Sequence, residues 1–160
     1  DDALSARAAL LARVLPRSVD VPLLLHRQPT LTRCDAAGVV GRLMALKRAL
    51  PGADLGVLVE RQPGLLDGSE TLDETSLFRL RVLLPGVNVD SVVEEAPELA
   101  LSGKGVDCEA NLRALEQKGF PRKHLPQLVA ARPQMLLRPY MFEASGLRHS
   151  SGTGLAPNGP

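Results

Sequence analysis

Proline recurs along this chain at nearly constant spacing. One series closes an apolar stretch each time, and its members are 34, 34 and 36 residues apart: Pro29, Pro63, Pro97 and Pro133. A second series precedes the first by 12 or 13 residues: Pro16, Pro51, Pro85 and Pro121. Two proline series in phase over four cycles indicate a tandem repeat. A repeat protein is organised around an extended surface rather than a single pocket.

Residues 36–66 show what one repeat is expected to form. Apolar residues recur at helical spacing until Pro51 ends the helix, because a residue that precedes proline avoids the helical conformation. Asp54 is then placed to cap a second, shorter helix. Pro63 ends that helix, and an apolar turn follows. The predicted unit is therefore a helix, a turn, a shorter helix and a proline-led turn.

The same order predicts four units, which cover residues 5–31, 36–66, 70–101 and 108–138. In the third unit, either Asn88 or Asp90 is the expected cap of the second helix. A helical hairpin of this size cannot bury its apolar face alone, so neighbouring units must stack. The predicted fold is all-α: a right- or left-handed α-solenoid over residues 1–139, with about four repeats of ~34 residues, each of two helices plus a 3-10 turn. Residues 140–160 are rich in Gly, Ser and Pro, which predicts a flexible C-terminal tail.

The composition limits the kinds of partner. The net charge is only +1, but residues 67–103 carry two Lys or Arg against eight Asp or Glu, while both flanking regions are basic. The acidic unit, residues 70–98, is therefore expected to face a basic protein. Aromatic residues are too few to form the base-stacking platforms of common RNA-binding modules. Contacts with nucleic acid would depend on cations and helix ends instead.

Nothing in the sequence predicts an enzyme, a metal site or a bound cofactor. The three histidines lie far apart and lack the spacing of zinc ligands. The serines have no His and acid in a recognisable arrangement around them. Cys34 and Cys108 lie in different units and are interpreted as small buried residues in a reducing compartment. No apolar run reaches the length of a membrane span.

Cations near the end of each first helix are the main candidates for contacts with phosphate. They lie three or four residues before the proline that follows the helix: Arg13, Lys47 with Arg48, Arg81, and Lys118. Stacked units would place such residues about 10 Å apart along one edge, and a nucleic-acid backbone can be followed in this way. The simpler alternative is that the helix dipole favours cations at these positions.

A second series lies two residues before the proline that ends each unit. It contains Arg27 and Arg61, but Glu95 breaks it in the third unit. Arg122 and Lys123 form the densest cationic cluster, at the expected start of a helix, where free amides also attract anions. This cluster is the strongest single candidate for a phosphate contact, and an ordinary solvated helix start is the alternative.

Three segments carry a resemblance to a known family. They are LVERQPGLL (58–66), LVAARPQMLL (128–137) and GFPRKHLPQLVAARP (119–133). The order of elements resembles the unit of the mitochondrial transcription termination factor (mTERF) family. This order is a first helix, a Leu-Pro junction, a second helix and a proline-led turn. The resemblance covers roughly residues 5–138.

The resemblance implies a mitochondrial protein, or alternatively a plastid one, that binds RNA or double-stranded nucleic acid without catalysis. We expect a structural component of a ribonucleoprotein, such as a divergent mitochondrial ribosome with rRNA as ligand, since the low net charge suits a fixed place better than scanning of DNA. A protein-interaction scaffold within a large organellar complex and a DNA-binding termination factor are the alternatives.

Overall fold

A computed structural model describes residues 2–144 of the chain. Within this range the chain is mostly helical and has no strand, and an isolated antiparallel bridge joins Leu72 to Leu101. The prediction of an all-α protein is confirmed. The 3-10 turn Pro139–Met141 continues the folded chain past residue 139, and residues 145–160 of the predicted tail lie outside the described range.

The elements follow one order along the chain. They are α1 (Asp2–Val14), α2 (Val21–Arg27), the turn Pro29–Arg33, α3 (Ala36–Ala49), α4 (Leu55–Arg61), α5 (Gly64–Asp67), α6 (Glu74–Leu83), α7 (Val89–Glu95), the turn Pro97–Ala100, α8 (Cys108–Gln117), the turn Arg122–His124, α9 (Leu125–Ala131), α10 (Gln134–Leu137) and the turn Pro139–Met141. We call α1, α3, α6 and α8 the A helices, and α2, α4, α7 and α9 the B helices. The C turns are Pro29–Arg33, α5, Pro97–Ala100 and α10. Each A helix is followed by a B helix and then by a C turn, and two of the C turns, α5 and α10, are short α-helices rather than the predicted 3-10 turns.

Proline ends every B helix at the same backbone conformation. The residues that precede the four prolines have φ between −138° and −130° and ψ between 71° and 84°: Gln28, Gln62, Ala96 and Arg132. This is outside the helical region, as expected for a residue before proline. Each of these residues still donates its N–H to the carbonyl four positions earlier. The chain therefore leaves all four B helices in the same way.

Short polar side chains begin the helices. The Asp35, Asp73 and Asp107 carboxylates accept backbone N–H groups at the starts of α3, α6 and α8. Asp20, Asp54 and Asn88 do the same for α2, α4 and α7. The predicted cap at Asp54 is confirmed, and the choice in the third unit falls on Asn88. The B helix α9 of the fourth unit has no such side-chain cap, because the turn Arg122–His124 leads directly into it.

A buried leucine sets a common register for the A helices. These register leucines are Leu11, Leu46, Leu80 and Leu115. The carbonyl of each accepts the N–H of the buried residue that closes the helix: Leu15, Leu50, Leu84 and Phe120. Burying one leucine side chain stabilises the fold by roughly 1.5–3 kcal/mol. The register leucines are 35, 34 and 35 residues apart, so the A helices do not keep the spacing of the prolines.

Two tight contacts join successive units at equivalent places. A Cβ added to Gly56 at the start of α4 would lie 2.4 Å from the Ser18 hydroxyl, so a larger residue at this position would force Ser18 to move. Thirty-four residues later the small residue is on the other side of the contact. Gly52 is equivalent to Ser18, and Asp90 is equivalent to Gly56. The Gly52 N–H donates to the Asp90 carboxylate at 2.6 Å. Both pairs of units therefore approach closely at this place, with a glycine on one side of each contact.

Asp67 links the C turns of the first two units. Its carboxylate accepts hydrogen bonds from the Gln28 amide at 2.7 Å and from the Thr30 hydroxyl, and from the Ser69 N–H of its own unit. Burial raises the pKa of Asp67, but hydrogen bonds from Thr30, Gln28 and Ser69 outweigh burial and lower the pKa to about 2. Because the folded pKa lies below the ordinary value of 3.8, the ionised carboxylate stabilises the folded state above that pH.

We predict that this contribution is lost as the pH falls from about 4 to about 2. The difference in free energy of unfolding between the native chain and Asp67→Asn should be constant near neutral pH and should shrink over that window. Urea unfolding at a series of pH values measures it. Thr30→Val removes one of the responsible hydrogen bonds and serves as a second variant with the same expected trend. Parallel pH profiles for the native chain and Asp67→Asn would contradict the role of Asp67.

Candidate nucleic-acid interface

The nine predicted phosphate-binding cations divide into two groups by their contacts. Four make close polar contacts within the protein: Arg27, Arg61, Arg81 and Lys118. Five are exposed with at most a long contact: Arg13, Lys47, Arg48, Arg122 and Lys123. In this second group, Lys47 lies 3.3 Å from the Pro51 carbonyl and Arg122 lies 3.8 Å from Glu116. The second group has the most donors available to a ligand, because its members make no short polar contact within the protein.

Arg27 and Arg61 connect successive B helices. The Arg27 guanidinium donates to the Glu60 carbonyl of the next unit at 2.6 Å, and Arg61 donates to the Glu94 carbonyl at the same distance. The two contacts are equivalent, since both partners are shifted by 34 residues. A guanidinium has five N–H donors, so each arginine keeps further donors at the surface. Their first role in this structure is nevertheless to join units.

The same glutamates make a second set of contacts between units. The Glu60 carboxylate accepts the Asp20 N–H at 3.1 Å, and the Glu94 carboxylate accepts the Asp54 N–H at 2.7 Å. Each glutamate therefore accepts two hydrogen bonds from the preceding unit, one on its carbonyl and one on its carboxylate. These contacts could have been expected from the sequence, because the Asp, Glu and Arg residues that form them each recur at an interval of 34 residues.

Arg81 is part of a buried link between the second and third units. Its guanidinium donates to the Asp90 carboxylate at 2.8 Å and to the Ala49 carbonyl at the end of α3 at 3.0 Å. Asp90 is 6% exposed and is the one buried charged residue of the described range. With Gly52 also donating to it, the carboxylate holds three segments together.

Lys118 closes the fourth unit onto the segment that follows it. Its ammonium donates to the Pro139 and Phe142 carbonyls at 2.9 and 2.8 Å, and Glu143 lies 3.8 Å away. An ammonium has three donors, and the two hydrogen bonds use two of them.

The cations of the A helices do not share one position. Counted from the register leucines, Arg13 and Arg48 lie two residues after Leu11 and Leu46, whereas Lys47 and Arg81 lie one residue after Leu46 and Leu80. The structure thus brings Arg13 and Arg48 to equivalent positions, with Val82 taking that position in the third unit. Lys118 lies three residues after Leu115, so the predicted series from the first to the fourth unit is split over three positions.

Arg122 and Lys123 lie in a three-residue 3-10 turn, before α9 begins at Leu125. Both side chains are exposed. Gly119, with φ of 105°, ends the preceding A helix in place of the Leu-Pro junction of the other units. This left-handed conformation is readily adopted by glycine. The cluster therefore projects from the junction between the A and B helices.

Charge is also divided between the two kinds of helix. The first three A helices carry seven Lys or Arg against two Asp or Glu, whereas the first three B helices carry two against four. The charges of residues 67–103 and of the two flanking regions do not reveal this division, because each of these regions contains both kinds of helix. The net charge of +1 thus combines a basic set of A helices with a mildly acidic set of B helices.

A groove of about 670 Å³ crosses the B helices and C turns and is lined by residues of all four units. Its charged residues have both signs: Arg27, Glu60, Arg61, Glu95, Glu98 and Arg138. The predicted acidic surface reaches it through Glu95 and Glu98, while Glu70 is paired with Lys104 at 3.1 Å and Asp73 caps α6. This groove offers alternating charge rather than a continuous basic track.

Within residues 2–144, no group of three or more His, Cys, Asp or Glu side chains is arranged to hold a metal ion. In the same range, no helix is long and apolar enough to cross a membrane. Cys108 is buried and Cys34 is half-buried, and neither forms a disulfide. Burial raises the pKa of the Cys108 thiol to about 11, so it stays protonated at neutral pH and is a poor nucleophile.

Comparison of the chain with protein-family models, with curated protein sequences and with solved structures returned no match. The resemblance to the mTERF family therefore depends on the order of elements and on the segments quoted above.

The role of Asp90 gives a test of which cations are structural. Asp90→Ala leaves the Gly52 N–H and the Arg81 guanidinium without their shared acceptor, so we predict a loss of about 1–3 kcal/mol in the free energy of unfolding. Glu95→Ala, an exposed acid on the same helix, should change it by no more than about 0.5 kcal/mol. Chemical denaturation of both variants measures the difference. Equal stability of the two variants would contradict the link.

Proposed function

We propose that this chain is a non-catalytic, mTERF-like helical-repeat protein that binds RNA. In this proposal the four units stack as an α-solenoid, and the protein is a structural component of an organellar ribonucleoprotein. A divergent mitochondrial ribosome is the favoured setting, and a plastid one is the alternative. The recurring order of A helix, B helix and C turn supports stacking, as do the equivalent hydrogen bonds that Arg27 and Arg61 make to the next unit.

The observation that carries the proposal is the position of the five exposed cations. Arg13, Lys47 and Arg48 occupy the last turn of their A helices, and Arg122 and Lys123 lie in the junction between the A and B helices of the fourth unit. In a stack of such units, the ends of the A helices and these junctions form one edge. We call these five residues the basic edge. The third unit contributes no free cation to it, because Arg81 is bound to Asp90.

The chemistry of the basic edge favours the phosphate backbone as its ligand. Arginine and lysine at roughly 10 Å intervals match the repeat of stacked helices and can neutralise successive phosphates. The described part of the chain offers few exposed aromatic rings for base stacking, which argues for recognition of shape and charge. With a net charge of +1, the protein has little non-specific attraction for DNA. A fixed place in a ribonucleoprotein suits this better than scanning.

A protein-interaction scaffold is the second candidate function. The groove across the B helices favours it, because alternating charges along four units suit a polypeptide of mixed charge. Glu95 and Glu98 supply the acidic part that a basic protein would meet.

We predict that Arg122→Gln together with Lys123→Gln weakens RNA binding and reduces its dependence on salt. Loss of two phosphate contacts should lower the slope of log K against log salt by about 1 to 2. Fluorescence anisotropy with labelled RNA and DNA of one sequence, single-stranded and duplex, at several salt concentrations measures both effects. The matched control is Arg33→Gln with Arg132→Gln, which removes the same charge from exposed positions outside the basic edge.

Each outcome decides a different part of the proposal. An equal loss of RNA affinity in the control variant would show that only the net charge matters, and it would contradict RNA binding at the basic edge. Absence of RNA binding by the native chain would contradict the RNA-binding function itself. Tighter binding to duplex DNA than to either RNA would favour a termination factor instead.

A further inference from the structure

The outer surface of the A helices has a regular pattern of charge and apolar residues. The residues two before and two after each register leucine are all exposed: Ala9 and Arg13, Met44 and Arg48, Phe78 and Val82, and Arg113 and Gln117. Residues four apart on a helix lie next to each other, so each pair forms one spot on its helix. Read along the four units, the spots are basic, mixed, apolar and basic.

The middle of this surface carries large, exposed apolar side chains. Met44 is 55% exposed, Phe78 67% and Val82 63%. Large exposed apolar groups that share one surface commonly mark an interaction site. Arginine flanks them on both sides, at Arg13 and Arg48 toward the start of the chain and at Arg113 toward the end. Arg113 also lies 3.8 Å from Glu109, but an exposed pair of this kind contributes little.

Two depressions lie beside α3, and Met44 lines one of them. That depression, of about 380 Å³, lies between the end of α1 and α3; it is apolar, with Lys47 as its single charged residue. The other, of about 410 Å³, lies between α3 and the start of the third unit; its lining includes Leu46, Leu65 and Leu72, with Arg42 and Arg48 on one side and Glu70 and Glu74 on the other. Depressions of this kind accept inserted side chains, whereas a flat bilayer surface would leave them unfilled. The shape therefore favours a polypeptide over a lipid surface.

We propose that this surface binds a helical segment of a partner protein that is apolar in its centre and acidic at both ends. The binding patch consists of Met44, Phe78 and Val82 with Arg13, Arg48 and Arg113. Three steps between neighbouring helices at about 10 Å each give a span of roughly 30 Å, which corresponds to about 20 residues of α-helix. The inference needs the stacked units but goes beyond RNA binding and does not depend on it.

The test uses a synthetic helical peptide of about 20 residues, the length of the patch, with leucines on its central face and glutamates at both ends. A comparison peptide carries lysines at the ends instead. Fluorescence anisotropy should give saturable binding of the glutamate peptide and at least about tenfold weaker binding of the lysine peptide. Met44→Ser with Phe78→Ser should weaken binding of the glutamate peptide by about tenfold or more. Leu23→Ser with Tyr140→Ser, which changes two equally exposed apolar residues outside the A helices, should leave it unchanged.

Several results would overturn the proposal. These are the absence of saturable binding of the glutamate peptide, equal affinity for both peptides, and unchanged binding in the Met44→Ser, Phe78→Ser variant. Binding of phosphatidylglycerol vesicles that this variant abolishes, without peptide binding, would assign the patch to a lipid surface. RNA affinity measured on the same variant separates the two functions: it should stay at the native value, and its loss would assign the patch to RNA.

Discussion

Proline disfavours the α-helical conformation in the residue before it, and each B helix ends at such a residue. The four such residues adopt nearly the same φ and ψ, so the chain leaves each B helix in the same direction. Because the exit is fixed, side chains 34 residues apart reach equivalent partners in the next unit. Arg27 with Glu60, and Arg61 with Glu94, are the direct result.

These contacts between units are unevenly distributed along the chain. Glu60 and Glu94 each accept two hydrogen bonds from the preceding unit, and Asp67 and Asp90 add further links between units one, two and three. The series stops where Glu95 takes the place of arginine. Among residues 2–144, no hydrogen bond or ion pair joins residues 70–101 to residues 108–138, and α7 packs against α9 there through apolar side chains. The fourth unit, which carries Arg122 and Lys123, is thus attached by burial of apolar surface alone.

The sequence was sufficient to predict the A and B helices and two of their caps, Asp54 and, as one of two candidates, Asn88, because such features depend on neighbouring residues. Asp54 as a cap and Pro63 as a helix end are local features of this kind. The partners of the cations were not predictable in the same way. Whether Arg81 faces solvent or Asp90 depends on the distance between two helices. The division of charge between A and B helices becomes visible only when charges are counted helix by helix.

Hydrogen exchange at the start of the B helices tests the stacking of units most directly. The N–H of a residue that caps a helix has no partner within that helix, so protection of Asp20 and Asp54 requires the glutamates of the next unit. Asn88 occupies the equivalent place, and among the described residues its N–H has no such acceptor, because Ala130 lies where Glu60 and Glu94 lie in the other units. We predict that the Asp20 and Asp54 amides exchange about tenfold or more slowly than that of Asn88, and that Glu60→Ala releases Asp20 alone. Equal exchange rates at all three amides would contradict the stacked arrangement.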